Sequence, residues 1–511
     1  MRKLEYPMLK GTTYLDHGGT TLASKSLMKD FASEMETTLL ANPHSDASNP
    51  SESSLIVAET RLRVLEFFNA ELEHFDVVFT ANATAAIKLV TECFSGLEDG
   101  FDYYYHRNCH TSLVGVREVA SHSHCLASNE ETMQWLHHEH ELSEPDCGER
   151  ATLFAYPAQS NMNGERLPLS WSHQLRKSSH HLNSYTLLDA AAYVSTSPLD
   201  LSDHATAPDF IAMSFYKIFG FPDLGALIVR KASSHILENR KYFGGGTTEM
   251  TTVFGEQPWV ARKEASLHAR LEDGTIAIRS ILALRCALGT HQKLYGSMDA
   301  ISGHTGWLAQ KLYKRLSALR HGNGTQVCHI YQASGSTFGD AQTQGATIAL
   351  NVRNSDGSWI GPYTVGSMLR QHGIHIRTGS LCNPAGMAAA LELSPANLKA
   401  AYEEGFRCND QDDVRTGGVL FGMARISLGA LSTLQDVEKI ATFFEDYVVD
   451  GRCTVSCAST LGYTSRPMMI AGRLGLDANE KADAAAERRP PTSRNMVKNV
   501  WLVIAECLGR Q

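Results

Sequence analysis

Apolar residues in this chain recur at two different spacings. In residues 26–39 and 56–68 they lie three and four positions apart, which predicts helices with one apolar face. Short apolar runs typical of buried strands occur at residues 77–80, 152–156, 186–188, 210–213 and 226–229. Because helical or loop stretches separate these runs, the pattern predicts an α/β fold with a mostly parallel sheet covered by helices on both faces.

The length of the chain predicts more than one domain. A chain of 511 residues is too long for one compact core. We expect a large domain at residues 31–324 and a smaller α/β domain at residues 325–448, with the N-terminal segment, residues 1–30, packing against the smaller one. Residues 449–511 differ in character and are predicted to form a tail.

Composition and charge exclude several classes of protein. A formal net charge of −9 argues against a general nucleic-acid binder. The 11 cysteines have no regular spacing, which favours a reducing compartment, and the pair Cys453 and Cys457 is too weak a signal to predict a bound metal. No apolar segment has the length of a signal peptide or a bilayer span, so we expect a cytoplasmic location and no membrane partner.

Three residues indicate a specific chemistry. Lys217 ends an apolar, strand-like run, and Asp189 ends the run before it. Such a pair suits pyridoxal phosphate (PLP), to which the lysine bonds covalently while the aspartate keeps the pyridine nitrogen protonated. A solvated strand-end lysine and a helix-capping aspartate are the alternative. Cys382 lies among small and turn-forming residues, which predicts an exposed loop and a nucleophilic thiolate, and therefore favours an enzyme.

A series of short motifs resembles a known family. The motifs occupy residues 14–19, 42–45, 79–84, 160–164, 214–217, 377–384 and 424–429. In this order they resemble the cysteine desulfurase-like N-terminal part of molybdenum cofactor sulfurases, within the class V aminotransferase group of PLP enzymes. The resemblance covers residues 10–445 and implies the PLP-dependent transferase-like fold of the aspartate aminotransferase type. In residues 449–511 we find no match to the molybdenum cofactor-binding domain of that family.

The resemblance also implies which residues bind the cofactor. The turn at residues 81–85 alone predicts either a helix cap or a phosphate site at a helix N-terminus. By resemblance, Ala83, Thr84 and Ser214 contact the phosphate, and Asn161 contacts the phenolic oxygen. His110 stacks on the ring and moves protons.

The remaining implied positions concern the partner subunit, the substrate and two departures from the family. Thr247 belongs to a glycine-rich loop that completes the phosphate site of the partner in dimeric relatives, so a homodimer is expected. Arg425 binds the substrate carboxylate unless it satisfies a surface carboxylate, and Arg377 binds substrate or orients the cysteine loop. The family's histidine is replaced by Tyr216, and a frequent glutamine by Ala192.

These residues together predict removal of sulfur from L-cysteine. The Cys382 thiolate takes the sulfur as a persulfide and alanine is released. By resemblance, the sulfur then passes to the molybdenum cofactor, or to a protein carrying it, for enzymes of the xanthine dehydrogenase and aldehyde oxidase type. The alternatives are a general cysteine desulfurase, another class V enzyme (aminotransferase, lyase or racemase), or a non-catalytic partner protein.

Overall fold

The computed structural model describes residues 1–43, 51–137, 150–255, 257–407 and 419–449. These residues belong to one compact unit, Met1–Thr454. The strands are β1 (Thr13–Tyr14), β2 (Phe75–Thr80), β3 (Phe101–His106), β4 (His122–Leu126), β5 (Ala151–Pro157), β6 (Ser184–Asp189), β7 (Phe210–Ser214), β8 (Gly225–Arg230), β9 (Thr248–Thr252), β10 (Trp259–Arg262), β11 (Cys328–Ile330), β12 (Thr347–Arg353), β13 (Trp359–Ile360), β14 (Ile374–His375), β15 (Arg377–Gly379) and β16 (Met423–Ser427).

Helices connect and cover these strands. They are α1 (Arg2–Glu5), α2 (Lys25–Thr37), α3 (Glu52–Phe67), α4 (Ala83–Phe94), α5 (Thr111–Val114), α6 (Asn129–Leu136), α7 (Trp171–Lys177), α8 (Tyr216–Phe219), α9 (Leu267–Leu271), α10 (Ile278–Tyr295), α11 (Met298–Ala318), α12 (Pro362–Gln371), α13 (Pro384–Ala390), α14 (Pro395–Glu403) and α15 (Leu434–Tyr447). Among the residues that the structure describes, no helix is long and apolar enough to cross a bilayer.

A seven-stranded sheet in the order β2-β8-β7-β6-β5-β3-β4 forms the centre of the fold. Strands β3 to β7 run parallel, whereas β8 is antiparallel to both of its neighbours, β7 and β2. The apolar runs that predicted strands lie in β2, β5, β6, β7 and β8, and the predicted α/β fold with a mostly parallel sheet is confirmed.

Alternate residues of each central strand face two different apolar cores. In β2, Val77 packs with helices α3 and α10 on one face, whereas its neighbour Val78 packs with α4 on the other. This follows from the two-residue period of a strand. Because both faces are buried, the central strands are mostly apolar on both faces, and full burial of each large apolar side chain contributes roughly 1.5–3 kcal/mol.

A second sheet is built from the C-terminal part of the unit. It has the order β11-β12-β16-β15, with β13 beside β12, and its core includes residues of α11 and α15. The N-terminal strand β1 pairs in parallel with β14, with Thr13 opposite Ile374. The predicted domain boundaries stay a prediction. The two final residues of the motif at 42–45, the pair Cys453 and Cys457, and the tail from residue 450 onward lie outside the described residues.

The structure corrects the local conformation predicted for Lys217. Strand β7 ends at Ser214, and Phe215 then turns into the helical region (φ −69°, ψ −29°), so that Lys217 lies in the one-turn helix α8. The helix ends at Gly220 with φ 79°, where a Cβ would lie 2.2 Å from a backbone carbon of Leu22. The apolar run continues past the strand because the last two residues of α8, Ile218 and Phe219, are also buried.

Candidate active site

A pocket of about 500 Å³ opens at the carboxyl ends of the parallel strands. This edge of the sheet is where α/β folds bind ligands. The structure brings into its lining most of the predicted cofactor residues, namely Ala83, Thr84, His110, Asn161, Asp189, Ser214 and Lys217. Tyr216 and Ala192, the two positions at which the chain differs from the family motifs, also line the pocket.

One end of the pocket is built to receive an anion. Helix α4 begins after Asn82, whose side chain accepts a hydrogen bond from the backbone N–H of Ala85 at 3.0 Å. The Ser214 hydroxyl oxygen accepts from the N–H of Ala83 at 2.9 Å, and the hydroxyls of Thr84 and Ser112 lie 2.7 Å apart. The helix cap, which was one of the two predictions for residues 81–85, is therefore present. The hydroxyl groups beside the first turn of the helix could also bind a phosphate, which was the other prediction.

Lys217 and Asp189 line the same pocket. Burial lowers the pKa of the Lys217 amine, and the Asp189 carboxylate opposes that shift. A lowered pKa increases the fraction of neutral amine, which is the form that attacks an aldehyde. Asp189, the last residue of β6, is buried, and its Oδ1 accepts from the N–H of Ala191 at 3.0 Å. Amine, carboxylate and anion site together fit pyridoxal phosphate.

His110 is held as a neutral imidazole with a defined tautomer. Its Nδ1 accepts a hydrogen bond from the backbone N–H of Ser112 at 3.1 Å, which leaves the proton on Nε2. Burial lowers the pKa of the imidazole, while Asp189 acts in the opposite direction and Lys217 adds to the lowering. His110 can therefore donate a hydrogen bond from Nε2 in the pocket at neutral pH.

The loop that carries Cys382 is strained and firmly attached. Leu381 and Cys382 both have positive φ, 58° and 55°, a conformation that costs non-glycine residues free energy. The Cys382 carbonyl accepts from the N–H of Thr111 at 3.0 Å, and the Leu381 carbonyl accepts from the Asn161 side chain at 2.7 Å. Because Thr111 follows His110 and Asn161 lines the pocket, these bonds place the cysteine beside the pocket.

The surroundings of the Cys382 sulfur differ from the prediction. The loop was predicted to be exposed, but it is only partly so, since Cys382 is partly buried and Leu381 is fully buried. The Arg377 guanidinium donates a hydrogen bond to the Cys382 sulfur at 3.3 Å. Arg377 therefore contacts the thiol that the sequence predicts to be the nucleophile.

Arg425 lies in the middle of β16 and is 1% exposed. Its guanidinium donates to Asp16 Oδ1 at 2.7 Å and to the Asn161 carbonyl at 2.9 Å, while its Nε has no hydrogen-bond partner. Burial lowers the pKa of Arg425, and Asp16 opposes this shift. The carboxylate that pairs with Arg425 is thus a partly exposed one of the protein itself, Asp16, and the predicted role of Arg425 in binding substrate stays a prediction.

Thr247 does not line this pocket. It is buried, and its hydroxyl donates to the Gly244 carbonyl at 2.7 Å in the loop that leads into the hairpin β9–β10. Its role in a partner subunit stays a prediction. Within the described ranges, no group of three or more His, Cys, Asp or Glu side chains could hold a metal ion.

Several residues of the site were not assigned from the sequence. Asp16 is in the motif at residues 14–19, where a carboxylate followed by glycines was a usable signal. Ser112 hydrogen-bonds both Thr84 and His110. Asn383 donates to the side chain of Asn161 at 3.1 Å, and its position directly after Cys382 was its only signal.

Comparisons with known proteins agree with this geometry. A family model described as aminotransferase class V matches residues 13–440. The chain is 51% identical to the molybdenum cofactor sulfurase of Botryotinia fuckeliana over 451 residues, or 88% of this chain and 55% of that protein. It is 50% identical to the molybdenum cofactor sulfurase of Aspergillus niger over 452 residues, or 88% and 54%. The chain thus spans about half the length of the curated relatives it matches.

A solved structure shares the fold. The apo cysteine desulfurase of Thermococcus onnurineus NA1 superposes with a TM-score of 0.64 at 17% identity, over 87% of this chain and 97% of that one. The predicted fold class, the resemblance to the sulfurases and the predicted cofactor, pyridoxal phosphate, are confirmed by these comparisons.

Proposed function

The chain belongs to the class V aminotransferase family, and from this premise we propose that it is a PLP-dependent cysteine desulfurase. It takes sulfur from L-cysteine as a persulfide on Cys382 and releases L-alanine. The observation that carries the proposal is the contact of 3.3 Å between the Arg377 guanidinium and the Cys382 sulfur, in a loop bonded to the lysine pocket. Class V enzymes that transaminate or racemise need no such thiol.

The residues of the pocket have separate tasks in holding the cofactor. The first turn of α4, with Thr84 and Ser214, would hold the phosphate, and Asp189 would pair with the ring nitrogen. Lys217 would form the covalent bond. When bound, pyridoxal phosphate supplies an electron sink that weakens the bonds to the Cα of the substrate.

The chain's own residues perform the remaining steps. The Lys217 amine, whose pKa is lowered, accepts a proton from the substrate Cα. The Nε2–H group of the neutral His110 donates a hydrogen bond inside the pocket. The Cys382 thiolate attacks the substrate sulfur, so that an S–S bond forms while the Cβ–S bond breaks. The electron pair of the broken bond remains on the substrate, where protonation at Cβ gives alanine. The products are alanine and a Cys382 persulfide, and no external oxidant is needed.

We further propose that the outer sulfur of the persulfide passes to the molybdenum cofactor, which is the substrate of this second step. Relatives that are 50–51% identical to the chain are molybdenum cofactor sulfurases, which supports this acceptor. Because the chain spans about half their length, we propose that it performs the desulfuration half-reaction and meets the acceptor on another domain or protein, one example being an enzyme of the xanthine dehydrogenase type.

A homodimer is also proposed. The hairpin β9–β10 and its turn expose Met250, Phe254 and Trp259, and adjacent exposed apolar side chains favour a protein interface. We expect Phe254→Ser to weaken self-association in sedimentation velocity. The matched control is Leu182→Ser, because Phe254 is 93% and Leu182 90% exposed. Equal dissociation of both variants would place the interface elsewhere.

The experiment that tests the enzymatic proposal measures both products. Purified protein with PLP, L-cysteine and dithiothreitol should release alanine and sulfide in equal amounts. Sulfide with pyruvate in place of alanine would indicate a lyase, whereas absence of both alanine and sulfide would indicate another class V reaction or a non-catalytic partner protein. For the acceptor, protein loaded with labelled persulfide is mixed with a desulfo molybdenum hydroxylase. Transfer of label to that enzyme, with recovery of its activity, is expected, and retention of label on Cys382 would favour a general desulfurase.

A further inference from the structure

We propose that Asp16 is a specificity-determining residue that competes with the substrate carboxylate for Arg425. The inference rests on the proposed function, because it assumes that Arg425 binds the carboxylate of an amino acid. Asp16 then sets how tightly the site binds carboxylate ligands, because a ligand that binds Arg425 only weakly does not displace it. The proposal begins from the 2.7 Å ion pair between Asp16 Oδ1 and the Arg425 guanidinium.

The state of Arg425 supports competition. The guanidinium is almost fully buried, and such a charge requires a counter-ion when no ligand is bound. Asp16 supplies that counter-ion, and the Asn161 carbonyl accepts one further hydrogen bond. The Nε of Arg425 is buried without a partner, so the guanidinium retains an unused donor for an incoming oxygen atom.

The backbone around Asp16 is fixed, so the exchange must occur through its side chain. Leu15 donates to His375 and accepts from Ser427, both at 2.8 Å, which anchors the segment between β14 and β16. Two glycines make room for the pair. A Cβ at Gly18 would lie 3.3 Å from the Arg425 guanidinium carbon, and one at Gly19 would lie 2.7 Å from Asp16 Oδ2.

The two members of the pair differ in their access to water. The Asp16 side chain is 26% exposed, whereas that of Arg425 is 1% exposed. A carboxylate with this access can rotate into solvent and regain hydration, while the arginine stays in place. A substrate carboxylate can then replace Asp16 on the same guanidinium. A ligand without a carboxylate gains nothing from this exchange.

The charge of Asp16 also acts on the rest of the pocket. Burial lowers the pKa of Lys217, and the Asp16 carboxylate acts in the opposite direction, so it lies close enough to repel a second carboxylate in the same place. Removing this charge while keeping the shape of the side chain should therefore strengthen the binding of carboxylate ligands. Because a hydrogen bond to a charged group is at stake, we expect roughly tenfold tighter binding.

The test uses the holoenzyme and 3-mercaptopropionate under reducing conditions. This ligand has the carboxylate and thiol of cysteine but no amino group, so it cannot displace Lys217 from the cofactor and does not turn over. Calorimetry of Asp16→Asn is expected to give a dissociation constant about tenfold lower than that of the wild type. Cysteine methyl ester, which lacks the carboxylate, should have an unchanged half-saturation constant in the release of alanine methyl ester.

Control variants make the outcome decisive. Asp102→Asn removes the same charge from the ion pair with Arg150, which does not involve Arg425, and should bind like the wild type. Asp16→Ser provides a second test of the same charge if the amide variant is unstable. Unchanged or weaker binding of 3-mercaptopropionate by the Asp16 variants would overturn the inference and make Asp16 a positioning residue. Because binding is measured without turnover, this result is distinct from a failure of the desulfurase reaction itself.

Discussion

Replacing Arg377 by alanine separates the two roles that the sequence left open for this residue. In the structure its guanidinium donates to the Cys382 sulfur at 3.3 Å. If this contact stabilises the attacking thiolate, the variant should form persulfide more slowly at saturating cysteine. If Arg377 instead binds the substrate carboxylate, the variant should need more cysteine but reach the same rate.

The magnitude follows from the type of contact. A hydrogen bond to a charged group contributes about 1.5–3 kcal/mol. Each 1.4 kcal/mol of barrier corresponds to a tenfold change in rate, so the full range is roughly 10- to 100-fold. Because Arg377 and Cys382 are both only partly buried, solvent screens the interaction, and we expect a loss of about tenfold.

The assay is rapid-quench labelling of the protein with sulfur from [35S]cysteine, measured over a range of cysteine concentrations. Alkylation by iodoacetamide in the absence of substrate gives an independent measure, because it reports on the Cys382 thiolate alone. Arg377→Lys keeps the charge and should recover part of both rates. An unchanged maximal rate and an unchanged alkylation rate in Arg377→Ala would refute the reasoning.

Three further predictions concern the other groups of the fold. Lys217→Ala should eliminate covalently bound cofactor, since its amine is the proposed attachment point; mass spectrometry after borohydride reduction measures this, and retained cofactor mass would contradict it. Cys382→Ser should bind cofactor but retain no labelled sulfur, whereas Cys286→Ser should behave like the wild type, because burial raises the pKa of that thiol to about 11. Burial lowers the pKa of His17 and His291 to about 4. The free energy of unfolding should therefore fall as the pH drops from about 6.5 to 4, by up to about 3 kcal/mol for each histidine. Urea denaturation of His291→Gln should show a smaller dependence of this free energy on pH than the wild type does.

The central sheet was predictable because both of its faces are buried. Strands β5 to β8 are mostly apolar and show no regular polar alternation, and β6 and β7 end at Asp189 and Ser214, which line the pocket. Asp189 was correctly placed at a strand end by this reasoning. Lys217 was not, because the one-turn helix α8 is as apolar as the strand before it, and composition does not distinguish the two.

The backbone geometry of the Cys382 loop could not be predicted from the sequence, for a different reason. Small and turn-forming neighbours predicted a loop, but leucine and cysteine give no local signal for consecutive positive φ values. Those dihedral angles are maintained by tertiary hydrogen bonds, one of them from Asn161, which lies 220 positions from Leu381. The resulting partial burial of Cys382 depends on the same contacts.

Asn161 connects the Cys382 loop with Arg425. Its side chain binds the Leu381 carbonyl at 2.7 Å, and its backbone carbonyl accepts from the Arg425 guanidinium at 2.9 Å. One residue at the edge of the cofactor pocket thus fixes both the loop of the nucleophile and the arginine proposed to bind substrate. Because a displacement of about 1 Å can cost a hundredfold in rate, this shared support matters as much as the reacting groups themselves. From the sequence, Asn161 was predicted to contact only the cofactor. Its contacts show that it also holds Arg425 and the Cys382 loop in fixed positions relative to each other.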